Sequence, residues 1–361
     1  MYRWYSLVKR RHCISLYTRA FKLLVTLILL INMRSWPLVW HARLFSPVIK
    51  IQLQYCALRA KHIFKPAKLR TMALNTWIEK LCPIGVDPFE FTTRFKGWTS
   101  IDDVDFNGHL SNSSYAKTLD FARVESALRA FPAFTRNGGW IGLGSSHYHF
   151  VREIPIFTSY EIRTNIGAWD DKWVYVISRF VSLSCNGRSS KSQKSQSRMA
   201  NSNPHTPPRT HSECNIVSQP ERFSGDDIAS AAAQLHPYED DNTTLYCIAI
   251  SRYCFKHARI TVPPSVVLAC EGFSAPQTPD IQPRYSQTHP PPHWGQVQRL
   301  RNSPHGNAEV FREFLKGGWR RVPESQRWWD AALADPIESR RTRNLGLLKS
   351  LSEAMEVAQT L

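Results

Sequence analysis

An α+β domain is the fold class this sequence predicts, and three observations predict it. Ala116, Leu119, Phe121, Ala122, Val124, Ala127 and Leu128 recur near the helical period, and Pro132 closes the run, which reads as one long amphipathic helix. Three segments follow, Ile141 to Phe150, Tyr160 to Ile166 and Lys172 to Leu183, rich in β-branched and aromatic residues. Turn residues such as Gly167, Asp170 and Asp171 separate them, so they read as successive antiparallel strands. Strand character returns at Leu245 to Ile250 and continues through Arg252 to Lys256.

Ahead of the helix, Pro88 to Phe91 opens an extended segment that runs through Phe95 to a turn at Ile101-Asp102-Asp103, and the domain is expected to span residues 87–273. Residues 184–244 are rich in Ser, Asn, Gln, Pro and charge and carry no core-forming pattern, so they are expected to form a disordered insertion in one hairpin loop. Residues 274–308 read as a Pro- and His-rich linker. Residues 309–361 read as a helical tail, with Trp319, Trp328 and Trp329 as docking residues and Leu345, Leu347, Leu348, Leu351 and Met355 forming a stripe.

The formal net charge is +17, but it is unevenly placed. The leader, residues 1–78, carries 14 Lys and Arg with no acidic residue before Glu79, leaving 32 bases against 29 acids in the rest. A nearly neutral body lacks the broad basic face that phosphate-backbone binding needs, which argues against a nucleic-acid partner. Within the leader, Leu23 to Ile31 is a dense apolar run flanked by Arg3, Lys9, Arg10, Arg11, Arg19 and Lys22, and Met33, Trp36, Leu38, Val39 and Trp40 extend it past Arg34. This signal-anchor pattern predicts a transmembrane or monotopic helix and a membrane-associated protein, on endomembranes in the first reading and in mitochondria in the second. The eight cysteines form no CxxC pair, and His147 and His149 lack a third ligand in view, so neither a metal nor a cofactor is expected.

Chemistry concentrates in Asp105-Phe106-Asn107-Gly108-His109-Leu110-Ser111-Asn112-Ser113-Ser114-Tyr115. An extended segment, an Asp-containing turn and Asn112 entering a long helix gather polar side chains at a helix N-terminus. Free N–H groups and the positive helix end there favour a developing oxyanion. Asp105, Asn107 and His109 occupy alternate positions, which in extended backbone places them on one face. Asn112 reads first as the helix N-cap, and Asp105 has a competing reading as a turn and cap residue.

This run, with Leu119 to Arg123 behind it, resembles the signature of the 4-hydroxybenzoyl-CoA thioesterase-like hot-dog superfamily. Lys172 to Tyr175, Ser251 to Lys256 and Arg259 to Pro264 resemble later strands of fungal and animal superfamily proteins with N-terminal hydrophobic anchors. The resemblance implies a curved antiparallel sheet wrapped around one long helix, a homodimer, and hydrolysis of a fatty or aromatic acyl-CoA or acyl-carrier thioester. It also implies Asp105 as base or nucleophile with Asn107 and His109 assisting, and Asn112, Ser113 and Tyr115 at the substrate. The fold hosts other chemistry, so a hydratase or dehydratase and a non-catalytic membrane-bound acyl-binding protein stand as rival readings.

Overall fold

The computed structural model describes residues 2–183, 243–277, 283–301 and 309–357. The expected α+β hot-dog arrangement is present. Strands β1 (Thr92–Trp98), β2 (Gly139–Phe150), β3 (Ser159–Trp169), β4 (Val174–Leu183), β5 (Thr243–His257) and the short β6 (Ile260–Val262) form one antiparallel sheet in the order β1-β3-β4-β5-β2, with β6 on β5. Helix α4 (Asn112–Ala130), about 28 Å long at 1.5 Å per residue, lies across one face. The leader folds into α1 (Tyr2–Ile31), α2 (Val39–Lys61) and α3 (Ala67–Leu81), and α5 (Pro132–Arg136) follows α4.

The helical spacing of Leu119 and Ala122, with Tyr115 one turn earlier, turns these side chains onto the sheet. There they are fully buried against Ile162, Phe180, Cys247 and Ala249. Burying a side chain the size of Leu119 is worth about 1.5–3 kcal/mol. Strand alternation sends Tyr175, Ile177, Ile248 and Ile250 to the opposite face. A bulge between Ile166 and Ala168 reverses the alternation late in β3, so Ile166 joins one core and Ala168 another.

That outer face is covered by α10 (Ile337–Val357), whose Leu348 is buried on it and whose Asn344 donates from Nδ2 to the Gly167 carbonyl at 2.9 Å. The segments following β6 are α6 (Pro264–Glu271), α7 (Trp294–Arg301), α8 (Glu309–Leu315) and α9 (Trp328–Ala332). They close one end of the sheet in a shared cluster containing Phe131, Phe255, Trp294, Phe311 and Trp329. Leu183 pairs with Thr243 in the β4/β5 register. The chain between them therefore starts and ends at neighbouring points; of the expected insertion 184–244, Thr243 and Thr244 are already paired in β5, and residues 184–242 lie outside the described residues.

The leader departs from expectation. Among the described residues no helix is long and apolar enough to cross a membrane. The apolar run Leu23 to Ile31 is nine residues long, closed by Lys22 on one side and Arg34 on the other, whereas a span needs roughly 20. Its side chains are nonetheless exposed, Leu23, Leu24, Leu27 and Leu30 all standing clear of the domain. Instead of leading a separate life, α2 packs on α4: Trp40 meets Phe121 with ring centroids 6.3 Å apart, and the Arg43 guanidinium sits 4.5 Å over the same ring.

Two carboxylates fasten this leader: Asp102 accepts from Ser35 Oγ at 2.9 Å, and Asp103 gathers the larger set of partners. Asp103, buried in the short 3-10 turn Ile101–Asp103 that follows β1, accepts from Lys117 Nζ on α4 at 2.8 Å, Ser100 Oγ at 2.6 Å and Arg34 Nη1 at 3.1 Å. Arg34 also lies 4.3 Å over the Trp98 ring. Burial alone would raise the Asp103 pKa. The hydrogen bonds from Lys117 and Ser100 and the charges of Lys117 and Arg34 outweigh it and hold the carboxyl below the usual range. The sign of the linkage follows: a depressed folded-state pKa stabilises above the unfolded value, about 3.9, and the contribution is lost as pH falls through the folded value. Acid titration followed by Trp fluorescence should show Asp103→Asn losing part of the stability that the wild type gains between pH 3 and 5; identical profiles would refute the assignment.

Candidate active site

The segment from Val104 to Leu110 is a tight reversal, not an extended run. Val104 bridges to Leu110, Asp105 N–H donates to the His109 carbonyl at 2.9 Å, and Gly108 N–H donates to the Asp105 carbonyl at 3.1 Å. Gly108 has φ +78°, a region other L residues enter only at a cost. The alternating face expected for Asp105, Asn107 and His109 therefore does not exist, because a turn-favouring Asp and a left-handed Gly reverse the chain within it. Asp105 holds the turn itself: its Oδ1 accepts from the N–H groups of Asn107 at 2.9 Å and His109 at 3.2 Å. Its Oδ2 has no hydrogen bond among the described residues.

Asn107 is exposed and Asp105 and His109 are half-buried. His109 Nδ1 lies 3.0 Å from Glu153 Oε2, at ion-pair distance but out of line for a straight hydrogen bond. Glu153 was not legible as a partner, since it comes from the segment between β2 and β3 and meets His109 only because that residue bridges to Pro155. Phe106 stands in the turn, 97 % exposed, and Phe157, also exposed, carries φ +61° in the chain segment that pairs with Thr99 and Gly108.

The helix end also differs in detail. Ser111 is the N-cap of α4, its Oγ accepting from Ser114 N–H at 3.3 Å, so the cap assigned to Asn112 moves back one residue. Such a cap is worth about 1 kcal/mol. Asn112 and Ser113 are exposed at the first turn, and their N–H groups bond no described acceptor outside the helix. Tyr115 is not at a substrate surface. It is 2 % exposed, stacked edge-on against Phe150 and Phe180, and burial raises its pKa. The reason is the helical period: Tyr115 shares the inward stripe with Leu119 and Ala122.

The site thus brings together the Asp105 carboxylate, the His109 imidazole with Glu153, and the open N-terminal turn of α4. Chemically the set can orient or deprotonate a water and polarise a carbonyl. Cysteine is a poor alternative nucleophile here, since burial pushes the Cys247 thiol up to about 12.

Residues 99–200 match the family model of the thioesterase-like superfamily. Among curated proteins, the chain is 38% identical over 102 residues to Protein THEM6 of Drosophila melanogaster, covering 26% of this chain and 50% of that one. It is 28% identical over 170 residues to the thioesterase poxG of Penicillium oxalicum, covering 43% and 50%. It is 27% identical over 264 residues to the probable thioesterase atnL of Emericella nidulans, covering 66% and 67%. The chain spans about half the length of the first two. Among solved structures, a 4-hydroxybenzoyl CoA thioesterase mutant complexed with 4-hydroxybenzoyl CoA aligns with TM-score 0.31 at 12% identity, over 49% of this chain and 96% of that one.

Proposed function

Because the chain belongs to the thioesterase-like superfamily, we propose that it hydrolyses an acyl thioester carried by coenzyme A or an acyl-carrier protein. The observation that carries this reading is the Asp105 carboxylate, pinned through one oxygen by two backbone N–H groups and open at the other, in a turn that leads directly into the free N–H end of α4. A bound thioester carbonyl at that helix end would meet donors aimed at its oxygen while Asp105 orients the attacking water or attacks directly. Asn107 and His109 are assigned to positioning around it, with Asn112 and Ser113 presenting the helix end. The test is a panel of acyl-CoA thioesters assayed for thiol release. Hydrolysis above background supports the reading, whereas a change in enoyl absorbance without thiol release would replace it with the lyase reading.

The open edge of β2, which ends the sheet and exposes Trp140, Leu143 and Phe150, is the surface through which two copies would pair as a homodimer, since unpaired strand edges invite pairing. Sedimentation equilibrium checks it: a monomer at micromolar concentration would reject the pairing. The exposed apolar run of α1 beside Arg19, Lys22 and Arg34 fits an interfacial rather than a spanning association with membrane, on endomembranes or mitochondria. Full-length protein should float with anionic vesicles and lose that binding in high salt; failure to float with any vesicle rejects it.

A further inference from the structure

Helices α2 and α3 and the end of α4 border a cavity of about 360 Å³ whose apolar wall includes Val48, Ile51, Leu81, Leu128 and Pro132. Val48 is exposed and Ile51, Leu81 and Leu128 are half-buried, so this is a cleft that solvent reaches. One charged residue lines it, Arg136 at the end of α5. Its guanidinium lies 3.6 Å over the Tyr55 ring and 5.6 Å from the Trp77 ring. Stacking uses the flat face of a guanidinium and leaves its N–H edge free. Among the described residues that edge has no hydrogen-bond acceptor and no carboxylate at ion-pair distance, and none of its nitrogens is sealed from solvent. The leader carries no acid before Glu79. Glu79 lines a neighbouring cavity, which Arg136 also borders together with Arg301 and Arg312, and there it accepts from Gln298 Nε2 at 3.3 Å.

We infer that this cleft binds a fatty acid, its carboxylate on Arg136 and its chain along Val48, Ile51 and Leu128. A lone, accessible guanidinium in the wall of an apolar cleft complements a ligand with one negative charge and one apolar chain. The guanidinium fork matches a carboxylate through two parallel N–H donors, and the chain covers apolar surface at about 25 cal/mol per Å². A phosphate head, carrying about two charges near neutral pH, would find one cation among the residues lining this cleft. Asp105 precedes the first residue of α4, whereas Pro132 and Arg136 follow its last. The cleft is therefore separate from the Asp105 turn, and it gives a task to leader helices that the hydrolysis itself does not use. Its ligand is of the class that hydrolysis of a fatty acyl thioester releases, but binding here requires no hydrolysis.

The experiment is isothermal titration calorimetry of the full-length protein with decanoate, decanol and butyrate, each below its micelle concentration. Decanoate should bind roughly 10- to 100-fold more tightly than decanol, the worth of a hydrogen bond between charged groups, and butyrate should give no measurable binding. Arg136→Gln should bring decanoate down to the affinity of decanol. Should loss of the ring stacking unfold that variant, Val48→Trp supplies a second reading: it fills the mouth of the cleft, leaves Arg136 on Tyr55, and should weaken decanoate and decanol together. Equal affinities of the wild type for decanoate and decanol, or decanoate binding that survives unchanged in the folded variants, overturns the assignment. Decyl phosphate binding more than tenfold tighter than decanoate overturns the choice of head group. Asp105→Asn should bind decanoate within threefold of the wild type; a loss there would put the fatty acid at the turn and remove it from the cleft. The two sites fail separately: thioester turnover without fatty-acid binding through Arg136 removes the cleft alone, and such binding without turnover removes the hydrolase reading alone.

Discussion

Replacing Asp105 with Asn is expected to lower kcat/KM for thioester hydrolysis by roughly 100- to 10,000-fold, the range over which a positioned acid-base group acts, while leaving the melting temperature nearly unchanged. The two halves of that expectation come from the two oxygens. An asparagine side chain retains a carbonyl oxygen that can accept from the N–H groups of Asn107 and His109, as Oδ1 does, so the reversal into α4 survives. What disappears is the negative charge at the position of Oδ2, and with it the means to take a proton from water or to attack carbon. Thiol release and thermal unfolding measured on the same preparation read both. Turnover within threefold of wild type by a folded variant would remove Asp105 from the chemistry and leave it the turn-capping role it visibly has.

Glu271→Ala is the substitution expected to cost most stability, about 3–5 kcal/mol, which in a domain of this size corresponds to a fall in Tm of roughly 10 °C or more. Glu271 is 0 % exposed and collects partners from separate parts of the chain. Its oxygens accept from the Phe134 N–H at 2.6 Å and the Ala133 N–H at 3.1 Å at the start of α5, and from the Cys82 thiol at 3.4 Å at the end of α3. Arg301 of α7 lies 3.7 Å away and also donates to the Cys270 carbonyl. Truncation leaves a buried guanidinium without its counter-charge and two helix-end N–H groups without their acceptor at once. Calorimetry checks this, and a loss below about 1 kcal/mol would mean that water or a neighbouring group replaces the carboxylate.

How much of this was legible beforehand depended on the range of the interaction. Local periodicity carried α4 and strands β2 to β5, because the spacing of Leu119 and Ala122 and the alternation along Tyr175, Val176 and Ile177 are imposed by the same geometry that folds them. The Asp105 motif was also legible, yet its shape was not: alternate positions imply one face only if the backbone is extended, and Gly108 breaks that condition. A cap can be read one residue out of place when Ser111, Asn112 and Ser113 are all competent caps. The membrane-seeking pattern lies in α1 and reaches only the first residues of α2, and nothing nearby in sequence announces that Trp40 will meet Phe121. Asp103, Glu153 and Glu271 were invisible for the same reason. Each acquires its meaning from partners that folding alone brings near.

The helix laid over the outer surface of the sheet has a consequence for assembly. With Leu348 buried among side chains of β3, β4 and β5 and Asn344 bonded to the Gly167 carbonyl, whatever approaches this part of the sheet's outer face meets a helix of the same molecule before it meets a strand.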